Sequence, residues 1–273
     1  MLYKSKSKFL KIYKNLGIKK NDTVLLYVNT LKLLLLFKRQ FNNQKLKLEK
    51  LIKNICEDII GDLQKTIGKN GTILIPTYNW GFCRGENFDY YKTPSTVGAL
   101  SNYALKSNDF KRTKNPIYSF AVYGKDKNKL CNMNHKSCFS LDSPFGHLIK
   151  KKGKNVFIGF DDFREVFQFP YVAEEKVGVN YRQKKEFIGK YIKDKKITKK
   201  YKVIMNVRDL KKNMFTTVDK NLKNLLLKKN SYKEIKKNNV KYIWININEA
   251  YKIMLNDISS TKKIVYPKKL NEL

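Results

Sequence analysis

The chain has 273 residues, 42% of them hydrophobic and 13% aromatic, a globular composition that excludes a disordered polymer and bounds the fold at one large core or two small ones. Its 58 Lys and Arg against 23 Asp and Glu give +35, yet the basic residues are scattered and runs such as "KKKGK" (150–154) and "KDKK" (193–196) are short. None carries interleaved aromatics, so nucleic-acid binding would rest on net charge alone; Asn, Ile, Tyr and Phe rise together with Lys, as an AT-rich coding sequence produces without selection for binding.

In chain order, "KSKFLKIYKNLGI" (6–18) reads as an amphipathic helix with Phe9, Ile12, Tyr13 and Leu16 on one face and Gly17 as its stop. "DTVLLYVN" (22–29) is short and continuously apolar, the pattern of a strand buried on both faces. Residues 45–68 repeat apolar positions at three and four, predicting a long helix closed by Gly68, and "GKNGTILIPTYNW" (68–80) feeds a second buried strand. A helix between two such strands is a βαβ unit and implies a largely parallel sheet. Thr93, Pro94, Ser95 and Thr96 carry a helix-start signal ahead of Val97, Leu100 and Ala104. "YSFAVYG" (118–124) and "NVFIGF" (155–160) predict further strands, and 167–182 a short helix with Glu174 and Glu175 side by side. The stretch 190–210 has the look of a hairpin with lysine-rich turns, followed by a helix near 219–228, a strand at 241–246 and a terminal helix near 247–258. The reading is one α/β domain over 1–273, with 185–245 as a β-rich flap within it.

Cys56, Cys83, Cys131 and Cys138 show no CxxC spacing, and His135 and His147 are the only histidines, so nothing calls for a metal or a disulfide framework. The longest apolar run, "TLKLLLLFK" (30–38), is too short to span a bilayer and too far from the start for a signal segment; no membrane span and a cytoplasmic location are expected. No GxSxG, P-loop, GxGxxG or HExxH occurs. Ligands of open α/β sheets bind beyond strand ends, which brings together the loops "YVNT" (27–30), "PTYNW" (76–80) and "FDDFREVFQFPYVAEE" after the strand at 155–160 and singles out Asn29, Thr30, Tyr78 and Asn79, although ordinary turn chemistry places such residues there too. His147 reads as a helix-surface residue.

The stretches "DTVLLYVNTL", "GKNGTILIPTYNWGF", "TPSTVGALSNYAL", "FKRTKNPIYSFAVYGK", "DSPFGHLIKKKGKNVFIG" and "PYVAEEKVGVNYR", in order from about 22 to 182, resemble the aminoglycoside 3-N-acetyltransferase family, closest to members from surface-polysaccharide gene clusters. The resemblance implies a three-layer α/β/α fold with a mixed, largely parallel central sheet, acetyl-CoA as donor, and the amine of a small-molecule amino-sugar acceptor, a sugar nucleotide or surface-glycan precursor or an aminoglycoside. It leaves a homodimer open. It also implies Asn29 and Thr30 near the thioester, Ser95 and Thr96 near the CoA pyrophosphate with Arg112 (and Lys114) adding charge, and Tyr78, Asn79, Asp142 and Ser143 toward the acceptor.

Where the family carries His-x-x-Glu, with the histidine as base, this chain reads Tyr171-Val172-Ala173-Glu174, and the two other family histidines correspond to the Val28-Asn29 and Asn115-Pro116 positions. Tyrosine titrates near about 10 and histidine near about 6.5, so Tyr171 is a poor base at neutral pH, and base assistance is typically worth about 10²–10⁴ in rate. The expectation is therefore that Glu174 acts as the catalytic carboxylate and Tyr171 orients the substrate. The alternative is a degenerate relative that binds CoA or glycan without turnover.

Overall fold

The computed structural model describes residues 8–40, 48–194, 196–260 and 263–269. Helix α1 (Leu10–Asn15) turns Ile12 and Tyr13 into the core, with Phe9 and Leu16 buried at its ends; residues 6 and 7 of the expected helix lie outside the described residues. Strand β1 (Thr23–Val28) is followed by α2 (Thr30–Gln40), the form taken by the leucine-rich run, and by α3 (Leu48–Ile67). Positions 45–47 of the helix expected over 45–68 lie outside the described residues. Gly68 leaves α3 at φ +69°, a conformation open to glycine without strain. Strand β2 (Thr72–Pro76) then pairs parallel to β1, Val24 opposite Ile73, as the βαβ pattern predicted.

The next elements are β3 (Phe88–Asp89), α4 (Ala99–Lys106), β4 (Lys111–Arg112), β5 (Phe120–Gly124), α5 (Lys127–Asn132), α6 (Pro144–Lys150) and β6 (Lys154–Ile158). Helix α4 begins at Ala99 behind Gly98, not at the start predicted around Ser95. The Ser95 and Thr96 hydroxyls donate instead to the Tyr78 carbonyl, which holds their loop irregular across a strand end. Then follow α7 (Phe169–Val177), β7 (Arg182–Lys193), β8 (Lys196–Arg208), β9 (Met214–Val218), α8 (Asn221–Lys228), β10 (Tyr232–Lys237), β11 (Val240–Asn246), α9 (Ile247–Ser259) and β12 (Val265–Lys269).

Seven strands form the central sheet in the order β10-β11-β6-β1-β2-β5-β4. Its parallel part is β6-β1-β2, and antiparallel strands extend it on both sides. Alternate residues of β1 point to opposite layers. Leu25 and Tyr27 join Leu74 and Phe157 beneath α6, α7 and α9, while Val24 and Leu26 join Ile73 and Val156 beneath α1, α3 and α4. That is the three-layer α/β/α arrangement, and both faces of the sheet being covered explains why its central strands read as unbroken apolar runs.

The segment 185–245, expected as one flap, divides. Hairpin β7–β8 forms a separate sheet with β3, whereas β10 and β11 belong to the central sheet, β11 lying against β6. The hairpin is mostly polar and anchors through few apolar groups, among them Tyr191, whose ring stacks on Phe88 at 5.3 Å. Its ladder shifts register between Gly189 and Tyr191, and a Cβ at Gly189 would come within 2.7 Å of the Phe82 ring. No helix among the described residues is long and apolar enough to cross a membrane.

Candidate active site

A cavity of about 210 Å³ opens at the C-terminal ends of β1, β2 and β6, the place where open α/β sheets take ligands. Tyr27 and Tyr78 reach into it with their hydroxyls 2.9 Å apart. Burial raises both phenols well above their ordinary range, so both stay protonated and serve as hydrogen-bonding groups. One wall is the start of α4, with Leu100 and Ser101; the other is the loop after β6, with Phe160, Glu165 and Gln168. Trp80 stands at the rim, 37% exposed and tilted 66° to the Tyr78 ring. Glu165 is the only Asp, Glu, Lys, Arg or His in the lining.

Several residues singled out in the sequence border this cavity, and others serve the fold. Tyr78 lines it directly. Asn29 adjoins the lining residue Val28 and caps α2, its Oδ1 accepting the Lys32 N–H at 3.0 Å, while the buried Thr30 hydroxyl has no protein partner. Asn79 is absorbed by its own loop, accepting from Gly81 N–H and donating to the Pro94 carbonyl. Arg112, expected to add charge for a phosphate, is turned inward. It donates to Ser119 Oγ at 2.9 Å and to the carbonyls of Thr93 and Thr77 at 2.6 and 3.1 Å, and lies over the Phe88 ring at 4.6 Å. Burial lowers its pKa to about 10, still fully charged at neutral pH. Lys114 is tied to Asn132 and Asn134. Ser143 caps α6 by accepting the Phe145 N–H, and Asp142 is exposed beside it.

Tyr171 and Glu174 sit on α7, behind a row of aromatic rings that runs from the cavity. Tyr78 meets Tyr118 at 4.6 Å, Tyr118 meets Phe139 at 4.7 Å, and Phe139 meets Tyr171 at 5.4 Å. Tyr171 is covered on its other side by the Arg182 guanidinium, 4.4 Å from the ring centre. Glu174 differs from expectation. It is 0% exposed, accepts from Tyr181 Oη at 2.9 Å and Thr216 Oγ1 at 2.6 Å, pairs with Arg182, and is absent from the cavity lining. Burial raises its pKa against the pull of Arg182, Thr216 and Tyr181. In this geometry it anchors the β7–β8 hairpin and β9 to α7 and presents no free oxygen to an acceptor.

Glu175 is tied to Ser137 Oγ at 2.8 Å. Asn115 closes a turn by accepting the N–H groups of Ile117 and Tyr118. His147 is buried rather than on the helix surface. Its Nε2 lies 3.0 Å from Asp126, which follows β5 and donates its backbone N–H to Thr72 Oγ1 at the start of β2, so the pair sits at the opposite end of the sheet from the cavity. The sequence reading missed Tyr27, Trp80, Phe160, Glu165 and Gln168. All five lie in the strand-end loops "YVNT", "PTYNW" and "FDDFREVFQFPYVAEE" that the strand-end rule brings together; what the sequence did not carry is which side chain of each loop turns to the cavity, because tertiary packing sets that.

Residues 48–257 match the family model described as Aminoglycoside 3-N-acetyltransferase. Compared with curated proteins by sequence, the chain has no significant match. Among solved structures, aminoglycoside acetyltransferase AAC(3)-Xa superposes with TM-score 0.71 at 13% identity, covering 92% of this chain and 90% of its own. YokD protein from Bacillus subtilis gives 0.70 at 17%, covering 96% of both chains. AAC-IIIb, described in binary complex with CoASH, gives 0.71 at 12%, covering 93% and 95%. At these identities the superpositions establish a shared fold.

Proposed function

The chain belongs to the aminoglycoside 3-N-acetyltransferase family, and from that premise we propose that it moves the acetyl group of acetyl-CoA to the primary amine of an amino sugar, such as a sugar nucleotide, a surface-glycan precursor or an aminoglycoside. The observation that carries this reading is the aromatic cavity at the parallel strand ends of a chain whose residues 48–257 match that family. A fold relative described with CoASH supports the donor.

The apolar, narrow lining suits the thin pantetheine arm. Running along α4, the arm would bring its thioester under the first-turn amides of that helix, which lack intrahelical acceptors and favour developing negative charge. Asn29 and Thr30 would flank the same end, and the Tyr27–Tyr78 hydroxyl pair offers a neutral donor to the tetrahedral oxygen. The acceptor nitrogen attacks the thioester carbon, the C–S bond breaks, and CoA leaves as a thiolate that takes up a proton. Holding thioester and amine together supplies much of the acceleration, because the acyl group is already activated. The +35 chain would draw an anionic acceptor such as a sugar nucleotide toward its surface.

A second reading, a relative that binds CoA or glycan without turnover, is favoured by one observation: Glu174, the carboxylate expected to act, is locked by Arg182, Tyr181 and Thr216. Thiol release from acetyl-CoA with amino-sugar nucleotides, aminoglycosides and no acceptor separates the two. Acceptor-dependent release supports transfer; calorimetric CoA binding with no release across the panel supports the non-catalytic relative.

A further inference from the structure

Four carboxylates could meet an acceptor amine: Glu174, Glu175, Glu165 and Asp142, the last exposed but absent from the cavity lining. Glu174 is sealed and bonded, and Glu175 holds Ser137. Glu165 differs from all three. It is exposed on a short 3-10 turn (Phe163–Val166), lines the strand-end cavity, and makes no hydrogen bond or ion pair among the described residues. Its neighbours have paired off elsewhere, Asp162 with Arg164 and Asp161 with Lys32. Glu165 is also the one charged side chain among the described residues of the cavity lining, so nothing there neutralises it.

Resting on the transfer reading above, we propose that Glu165 is the acceptor-side carboxylate, holding the acceptor's ammonium at the cavity mouth and taking its proton. Trp80 and Tyr78 supply the remaining chemistry. An aromatic face attracts a cation and covers the apolar face of a sugar ring, and Trp is the strongest of the aromatic side chains in the first role. The lining offers no Lys or Arg to a phosphate, so the phosphate-bearing part of an acceptor stays outside while its amino sugar enters. The protons balance with one released to solvent. Glu165 accepts H⁺ from the ammonium, the freed nitrogen lone pair forms the C–N bond as the C–S bond breaks, the second N–H proton is shed to solvent, and Glu165 returns its proton to the CoA thiolate. The carboxylate is thereby regenerated.

The test uses titration calorimetry of the full chain with CoA present, with glucosamine and N-acetylglucosamine as probes. They differ at one nitrogen, an ammonium in one and a neutral acetamide in the other, and Glu165→Gln separates the loss of charge from the added acetyl bulk. The wild-type chain is expected to prefer glucosamine by about tenfold or more, the scale of a charge-assisted hydrogen bond, and Glu165→Gln to lose that preference while its melting temperature is unchanged. Glu165→Asp should recover part of it. In thiol release, Glu165→Gln should lower kcat/KM for the amine by about 10²–10⁴ and leave the KM for acetyl-CoA in place. Equal affinity for the two probes in the wild type, or a preference surviving in Glu165→Gln, overturns the proposal. Discrimination by Glu165 without thiol release would leave the amine site standing and remove the transfer reading alone.

Discussion

The α/β core and the β7–β8 hairpin hold together by different means. In the core, β1, β2 and β6 are covered on both faces, and their apolar side chains interlock in two clusters, with the Lys154–Asp22 pair only at the sheet's N-terminal end. The hairpin is largely polar and meets the rest of the molecule through short backbone pairings with β3 and with residues 136–138, a few aromatic contacts and one buried network, Glu174 with Arg182, Tyr181 and Thr216. Distributed burial loses little when one contact changes. A single desolvated charge pair concentrates the dependence, since losing one partner leaves the other buried and uncompensated.

The largest effect should follow from breaking that pair. Glu174→Ala is expected to cost about 3–5 kcal/mol in urea unfolding and to admit protease at the hairpin before the core opens. If its midpoint stays within about 1 kcal/mol of wild type, on the scale of an exposed pair, the network is not the anchor. Next comes Gly189→Ala, which drives a methyl against the Phe82 ring at the register shift and should cost about 1–3 kcal/mol. A neutral result would mean that the hairpin is free to move off Phe82.

The core's polar end responds to pH instead. Burial lowers the pKa of both His147 and His135, so the unfolded chain binds more protons than the folded one once pH falls below about 6.5. Stability contributed by these groups is present above that pH and is lost as pH falls beneath it. Carboxylates raised by burial, Glu174 and Glu175, act with the opposite sign above their ordinary values, so the comparison needs a variant. His147→Gln should flatten the fall in melting temperature between pH 6.5 and 5; an unchanged slope would exclude His147 as its source. A smaller effect on stability, about 1 kcal/mol, is expected of Trp80→Ala at the rim, where the ring meets Tyr78 and Tyr118 edge-on, yet acceptor KM should rise in thiol release. An unchanged acceptor KM would remove Trp80 from the site.

Much of the core was legible because its signals are local. Apolar runs located β1, β2 and β6, the three-and-four repeat located α3, and Gly68 marked its stop. The strand-end rule pointed to Tyr78 for the same reason. The edges of these elements were less legible. Helix α4 starts at Ala99 because the hydroxyls that would cap an earlier start are bonded to the Tyr78 carbonyl, and β10 joined the sheet through pairing with β11 that its polar sequence did not announce.

The sequence by itself determined the layered architecture, the order of its central strands' helices and the family, since alternation, periodicity and segment order are properties of neighbouring residues. Only the tertiary structure decided which carboxylate faces open space. Glu174 is sealed by Thr216, 42 residues away, and by the hairpin's Arg182, while Glu165 is left at the cavity mouth because Arg164 beside it turns to Asp162 and the Val218 carbonyl. Which groups are desolvated depends on segments remote in the chain, and no local pattern records that distance.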